Sequence, residues 1–184
     1  MKILKRNVSK DELKEFLNNI NLEDKNLYEE LGKNQNWIFQ FSGNTGSRMT
    51  VELKPDNFDD VINLNAMSRP GSSYNFGNYC LIKNENQKSP YPEQIQKFLS
   101  KSRGLINFQE EIMQITEYIS NGKISGNACR GLLKKLGKAN PKQADKDKWA
   151  EYVSIMKEEG TKKDIQQSVQ KMVESVKKVR KLLK

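Results

Sequence analysis

Chemistry in this chain would have to run on carboxylates, lysines and tyrosines, because its 184 residues include no histidine. Ser-His and Cys-His nucleophile pairs are thereby excluded, along with the commonest metal ligand. Asp145-Lys146-Asp147 comes nearest to a metal site, since paired carboxylates hold the two metal ions of phosphoryl transfer. Residues two apart on a helix point in different directions, however, and Lys142, Lys146 and Lys148 surround the pair, so a solvated helix face is the expectation. Asp59-Asp60 reads as the acidic first turn of a helix. Gly43-Asn44-Thr45-Gly46-Ser47-Arg48 hints at a phosphate loop but lacks the gap and the Lys-Ser/Thr of a Walker motif, and an ordinary polar turn accounts for it. Cys80 and Cys129 match no ligand spacing, which fits a reduced cytoplasmic setting. No catalytic and no metal-ligating residue is expected here.

Positive charge is the stronger signal. The net charge is +9, and residues 131–184 hold +8 of it, with 15 basic and 7 acidic side chains. Such asymmetry points to an anionic partner, nucleic acid first. Arg130, Lys134, Lys135, Lys138 and Lys142 form the densest cluster, across a predicted helix end, a break at Gly137 and the next helix start. Lysine suits sequence-blind phosphate contact better than bidentate base reading. Charge alone admits phosphate binding and a solvated surface equally. No apolar run is long enough to span a membrane, and the N-terminal MKILKRNVSK has no apolar stretch of the kind a secretory signal needs.

The elements that must position these residues are mostly helical, with a few short strands: a mostly α, or α+β, fold. Ser9 and Glu12 make a capping box before an apolar face of Leu13, Phe16, Leu17 and Ile20. A second helix follows Asp24, with Gly32 as its stop, and Trp37–Phe41 is the best strand candidate. Asp56 opens a helix that must end near Arg69, before Pro70-Gly71. Residues 72–90 are turn-rich, with a short strand predicted at Tyr79–Lys83 and another at Leu105–Phe108. Pro92 begins a helix that Gly104 closes, and Ile112, Ile115 and Ile119 align on a later one. Ser125–Leu136 is predicted helical. Asn140-Pro141 should cap a helix running to Gly160, and Thr161-x-x-Asp164 should start the last one. There Ile165, Val169, Met172, Val176, Val179 and Leu183 recur at four and three, a heptad seam whose partner the spacing leaves open. The division expected is a domain over 1–160 and a C-terminal amphipathic helix over 161–184.

Five words in order carry a family resemblance. Ile38-Phe39-Gln40-Phe41, Glu52–Ile62 (ELKPDNFDDVI), Leu64–Gly71 (LNAMSRPG), Gly104–Ile115 (GLINFQEEIMQI) and Leu132–Lys138 (LLKKLGK) followed by Pro141 resemble successive segments of C-family replicative DNA polymerases, the bacterial alpha-subunit type. The resemblance runs over roughly residues 21–160 and implies the fingers, a helical region that closes over incoming nucleotide and template. The family's catalytic carboxylates lie in the palm, ahead of this stretch, and have no counterpart here. The resemblance therefore implies no independent polymerisation, no cofactor bound by this chain alone, and Mg2+ only at a palm on another chain. The family's arginine pair before its GKKKP word falls on Leu133 and Lys134, so charge is kept in part while bidentate phosphate geometry is lost.

Arg69, Arg130, Lys134, Lys135, Lys138 and Lys142 are the residues expected to meet nucleotide or DNA phosphates. The partners implied are DNA and a palm-bearing polymerase chain or another replication protein. The reading is a fingers unit of a split polymerase, with a phage as the expected setting for such a gene. Its rivals are a non-enzymatic mimic that regulates a replication protein and a stand-alone DNA-binding protein.

Overall fold

The structure is a computed structural model that describes residues 9–33, 38–69, 72–162 and 166–182. Ten α-helices and no strand occur among the described residues. The first five are α1 (Lys10–Asn18), α2 (Lys25–Lys33), α3 (Asn44–Leu53), α4 (Phe58–Met67) and α5 (Phe76–Glu85). They are followed by α6 (Glu93–Gln96), α7 (Gln109–Ile119), α8 (Gly126–Leu136), α9 (Gln143–Lys162) and α10 (Gln166–Leu182). Helices α2 to α5 pack on one another, and α7 to α10 form a second group. One apolar core joins the groups, from Phe41, Leu53 and Leu64 through Tyr79, Ile95 and Leu105 to Ile115, Met156 and Met172.

Several helix starts follow their local chemistry. Ser9 Oγ accepts from the Glu12 N–H at 3.1 Å while the Glu12 carboxylate accepts from the Ser9 N–H at 2.9 Å, which closes the capping box. Asn57 caps α4 by accepting from the Asp60 N–H at 2.9 Å, and Ser125 caps α8 through the Ala128 N–H. The apolar face of α1 forms as its spacing requires, yet nothing buries it: Leu13, Phe16, Leu17 and Ile20 are all exposed.

The three predicted strands are not strands. Residues 38–41 make a turn in which Phe41 is buried and Phe39 points to water, although a strand would place the two on one face; Trp37 lies outside the described residues. Tyr79–Lys83 is part of α5, inside the stretch expected to be turn-rich. A short apolar run does not distinguish a buried helix from a strand. Tyr79 and Lys83, four residues apart, reach one buried carboxylate, a geometry that a helix face supplies. Leu105–Phe108 is irregular because the N–H groups of Asn107 and Phe108 donate to the Glu111 carboxylate, at 2.7 and 2.9 Å, rather than to a ladder.

Other boundaries move as well. Gly43–Arg48 is neither a phosphate loop nor a simple turn, for α3 begins at Asn44. Gly46 lies against the preceding turn so closely that a Cβ there would fall 2.3 Å from the Gln40 carbonyl oxygen. Gly46→Ala is therefore expected to destabilise the chain by about 1–3 kcal/mol through overpacking, measurable by urea denaturation. Pro92 precedes only the single turn of α6, and Gly104 closes a later irregular segment with φ +77°. Helix α9 starts at Gln143, two residues past Pro141, and runs through Gly160 and Thr161, since an interior glycine costs only about 1 kcal/mol. The helix stop at Pro70-Gly71, Asp164 of the expected Thr161-x-x-Asp164 start and the seam residues Ile165 and Leu183 lie outside the described residues, as does the side chain of Val179. The remaining seam residues, Val169, Met172 and Val176, are buried in the chain's own core. Met172 Sδ accepts from the Thr116 hydroxyl at 3.9 Å, and the Ser175 and Tyr91 hydroxyls are 2.7 Å apart, so α10 is built into the α7–α9 group.

Candidate nucleic-acid interface

Helix α8 separates apolar from basic residues by its own period. Gly126, Cys129, Leu132 and Leu136 face the core, whereas Arg130 and Lys134, four apart, share the exposed side. Lys134 and Lys135 occupy the last turn, where the helix dipole favours cations. Lys138 and Lys142 lie exposed on the connection to α9. Lys135 Nζ is 3.9 Å from the Asp145 carboxylate, a long and exposed contact that costs little to give up. Arg130, Lys134, Lys138 and Lys142 have no ion-pair partner among the described residues. Five cations thus line one helix end and its following loop.

Arg69 belongs elsewhere. It lines a cleft of about 390 Å3 with Asn65, Ser72, Asn107 and Gln109, and no residue of α8 or α9 contributes to its walls. Asn65 Oδ1 in that wall is buried without a hydrogen-bond partner among the described residues. Leaving it so costs about 1–3 kcal/mol, which a bound donor would recover.

Asn107 of the cleft wall also belongs to a polar network, around Asp60 and Asn63, that the local pattern of residues gives no sign of. Asp60 is fully buried, and its carboxylate accepts from Lys83, from Arg103 Nε at 2.9 Å and from the Tyr79 hydroxyl at 2.9 Å. Lys83 also lies 2.9 Å from Asp56. Burial alone would raise the Asp60 carboxyl, but the bonds from Arg103 and Lys83 outweigh it and hold it at about 2. Beside it, the Asn63 amide donates to the Lys101 carbonyl at 2.7 Å and accepts from Asn107 at 2.8 Å, and Asn75 donates to Asn107 at 2.8 Å. Burial pushes Glu111 up despite its bonds to Ser102, Phe108 and Asn107. These contacts hold α4, at Asp60 and Asn63, against α5 and the segment from Lys101 to Asn107 that leads into α7.

Asp145 and Asp147 do not converge on one point. Asp145 turns toward Lys135 while Asp147 accepts from the Gln143 amide at 2.8 Å, so the two carboxylates take different partners. Among the described residues no three His, Cys, Asp or Glu side chains gather as ligands. No helix among them is long and apolar enough to cross a membrane.

The sequence matches one family over most of its length. The model of the bacterial DNA polymerase III alpha subunit finger domain matches residues 1–160. The DNA polymerase III subunit alpha of Ureaplasma parvum is 31% identical over 121 residues, covering 64% of this chain and 12% of that protein. Its counterpart from Campylobacter jejuni is 28% identical over 150 residues, 79% of this chain and 12% of that one. The protein from Escherichia coli K12 is 28% identical over 138 residues, 70% and 12% respectively. The chain thus spans about 12% of the length of these relatives.

Proposed function

The chain belongs to the bacterial DNA polymerase III alpha subunit finger-domain family, and we infer from this that it binds DNA template and incoming nucleotide as a fingers unit of a polymerase whose palm lies outside residues 1–184. The observation that carries the reading is the row of exposed, largely unpaired cations from Arg130 to Lys142, on the exposed side of α8 and the connection that follows it. Such a row can follow a phosphate backbone without reading sequence. Arg69, in its separate cleft, is assigned to a second phosphate contact. The chain itself contributes binding and orientation. Proton and phosphoryl transfer are left to a palm that holds Mg2+ on its own carboxylates. Membership in a replication family supports a cytoplasmic site of action.

The test is the salt dependence of affinity for single-stranded DNA. Each neutralised phosphate contributes about 0.7 to the log–log slope, so replacing Lys134, Lys135 and Lys138 together by alanine should weaken binding and flatten the slope by about 2. A triple variant with the wild-type slope removes this face from the DNA contact.

One observation favours a second reading, in which the chain regulates a replication protein without taking part in synthesis. Leu133 stands where the family's arginine pair begins, and it packs half-buried against the core, so no guanidinium is presented there. Under this reading the chain copurifies with an intact polymerase and lowers its rate. Under the first it copurifies with a palm-bearing polypeptide.

A further inference from the structure

Phe39 is 86% exposed, more than any other large apolar side chain among the described residues, yet the turn that carries it is tightly held. The Ile38 carbonyl accepts from the N–H groups of Phe41 and Ser42, at 3.0 and 3.1 Å. Phe41 anchors one end of the turn in the core. Gln40, between the two rings, sits at φ +71°, a left-handed conformation that costs energy for a residue with a Cβ and persists only where the surroundings impose it. Gly46 supplies that support from behind, its backbone fitted against the Gln40 carbonyl and the Phe41 Cα. A buried ring, a strained residue and a glycine contact thus hold one phenyl group in water.

The surroundings of the ring narrow what it can meet. Ser42, Gly43, Asn44 and Thr45 beyond it are exposed, and α3 carries an exposed Arg48 on its second turn. Protein interfaces centre on contiguous apolar patches, the pattern that Leu13, Phe16, Leu17 and Ile20 form on α1. Ile38, beside Phe39 in the chain, is 38% exposed, so Phe39 stands far further out than its one adjacent apolar residue in the turn. A lone projecting ring is suited to stacking on a flat partner such as the π-face that every nucleobase offers.

We propose that Phe39 is a stacking platform for one unpaired base of single-stranded DNA. The proposal rests on the DNA-binding reading given above and adds to it a contact that salt does not screen. Stacking and phosphate neutralisation respond differently to ionic strength, so the two are separable. With a fluorescein-labelled oligodeoxythymidine, Phe39→Ala should raise the Kd by about 5- to 150-fold at every salt concentration and leave the log–log slope unchanged. Phe39→Trp should restore the affinity. An oligonucleotide of abasic sites keeps its phosphates but has nothing to stack, so wild type and Phe39→Ala should bind it alike. Equal binding of oligodeoxythymidine by wild type and Phe39→Ala, or equal weakening on the abasic strand, overturns the platform while leaving the basic face intact. Wild-type protein that binds neither strand overturns both proposals.

Discussion

Replacing Asp60 by alanine should destabilise the folded chain by about 3–5 kcal/mol, the cost of leaving buried cations without their counter-charge. Lys83 is nearly as buried as Asp60, and Arg103 is half-covered with its guanidinium 5.7 Å from the Tyr79 ring. Removing the carboxylate strands both cations and the Tyr79 hydroxyl at once. The loss should be smaller in a chain that carries Asp60→Leu together with Lys83→Met, since the buried Lys83 is then not stranded and only Arg103, which reaches solvent, loses its counter-charge. Urea denaturation of the three proteins checks this, and a single substitution no worse than the double would contradict it. The same carboxylate gives a pH dependence. Its folded pKa, about 2, lies below the ordinary 3.8, so its contribution is complete above pH 3.8 and is lost as pH falls through about 2. The size is about 2 kcal/mol. Glu111, whose pKa is raised, acts in the opposite sense, favouring the fold in its protonated form. Stability measured between pH 5 and pH 2 should therefore fall less steeply once Asp60 is replaced.

The second large effect is expected at Met172. This fully buried side chain of α10 lies against Thr116 of α7, so Met172→Ala should cost about 2–5 kcal/mol and lower the Tm by roughly 4–20 °C. A heptad helix that docked on another polypeptide would show a far smaller loss in the isolated chain. Because Val169, Met172 and Val176 pack inward, the Tm should also be independent of protein concentration over a hundredfold range. A Tm that rises with concentration would show that this seam joins two copies.

What the sequence made legible follows from the range of the interactions involved. The helix start at Ser9 could be read because the cap and the N–H that donates to it lie three residues apart, whereas the helix expected to open at Asp56 is capped one residue later, by Asn57. The seam of α10 could be read as amphipathic, but which surface would cover it depends on Thr116 and Tyr91, far away in the chain. The strands failed at Phe39-Gln40-Phe41 and Tyr79–Lys83 because aromatic and apolar runs of five residues suit either state until their neighbours are known. Asp60 reads as a helix-dipole residue from its place in the first turn of α4. Its partners Tyr79, Lys83 and Arg103 lie 19, 23 and 43 residues away, and only the fold brings them to one carboxylate. The basic face was the most legible part of the site, since five cations within thirteen residues need no tertiary structure to be noticed. That Arg69 lines a separate cleft could not be seen, because α7 closes that cleft from forty residues downstream.

The most direct test of a fingers-type DNA contact is amide hydrogen exchange of the whole chain with and without saturating single-stranded DNA. The account predicts added protection over residues 130–142 and in the turn at 38–41, with the exposed face of α1 unchanged. Protection confined to α1, or none at 130–142, would contradict it.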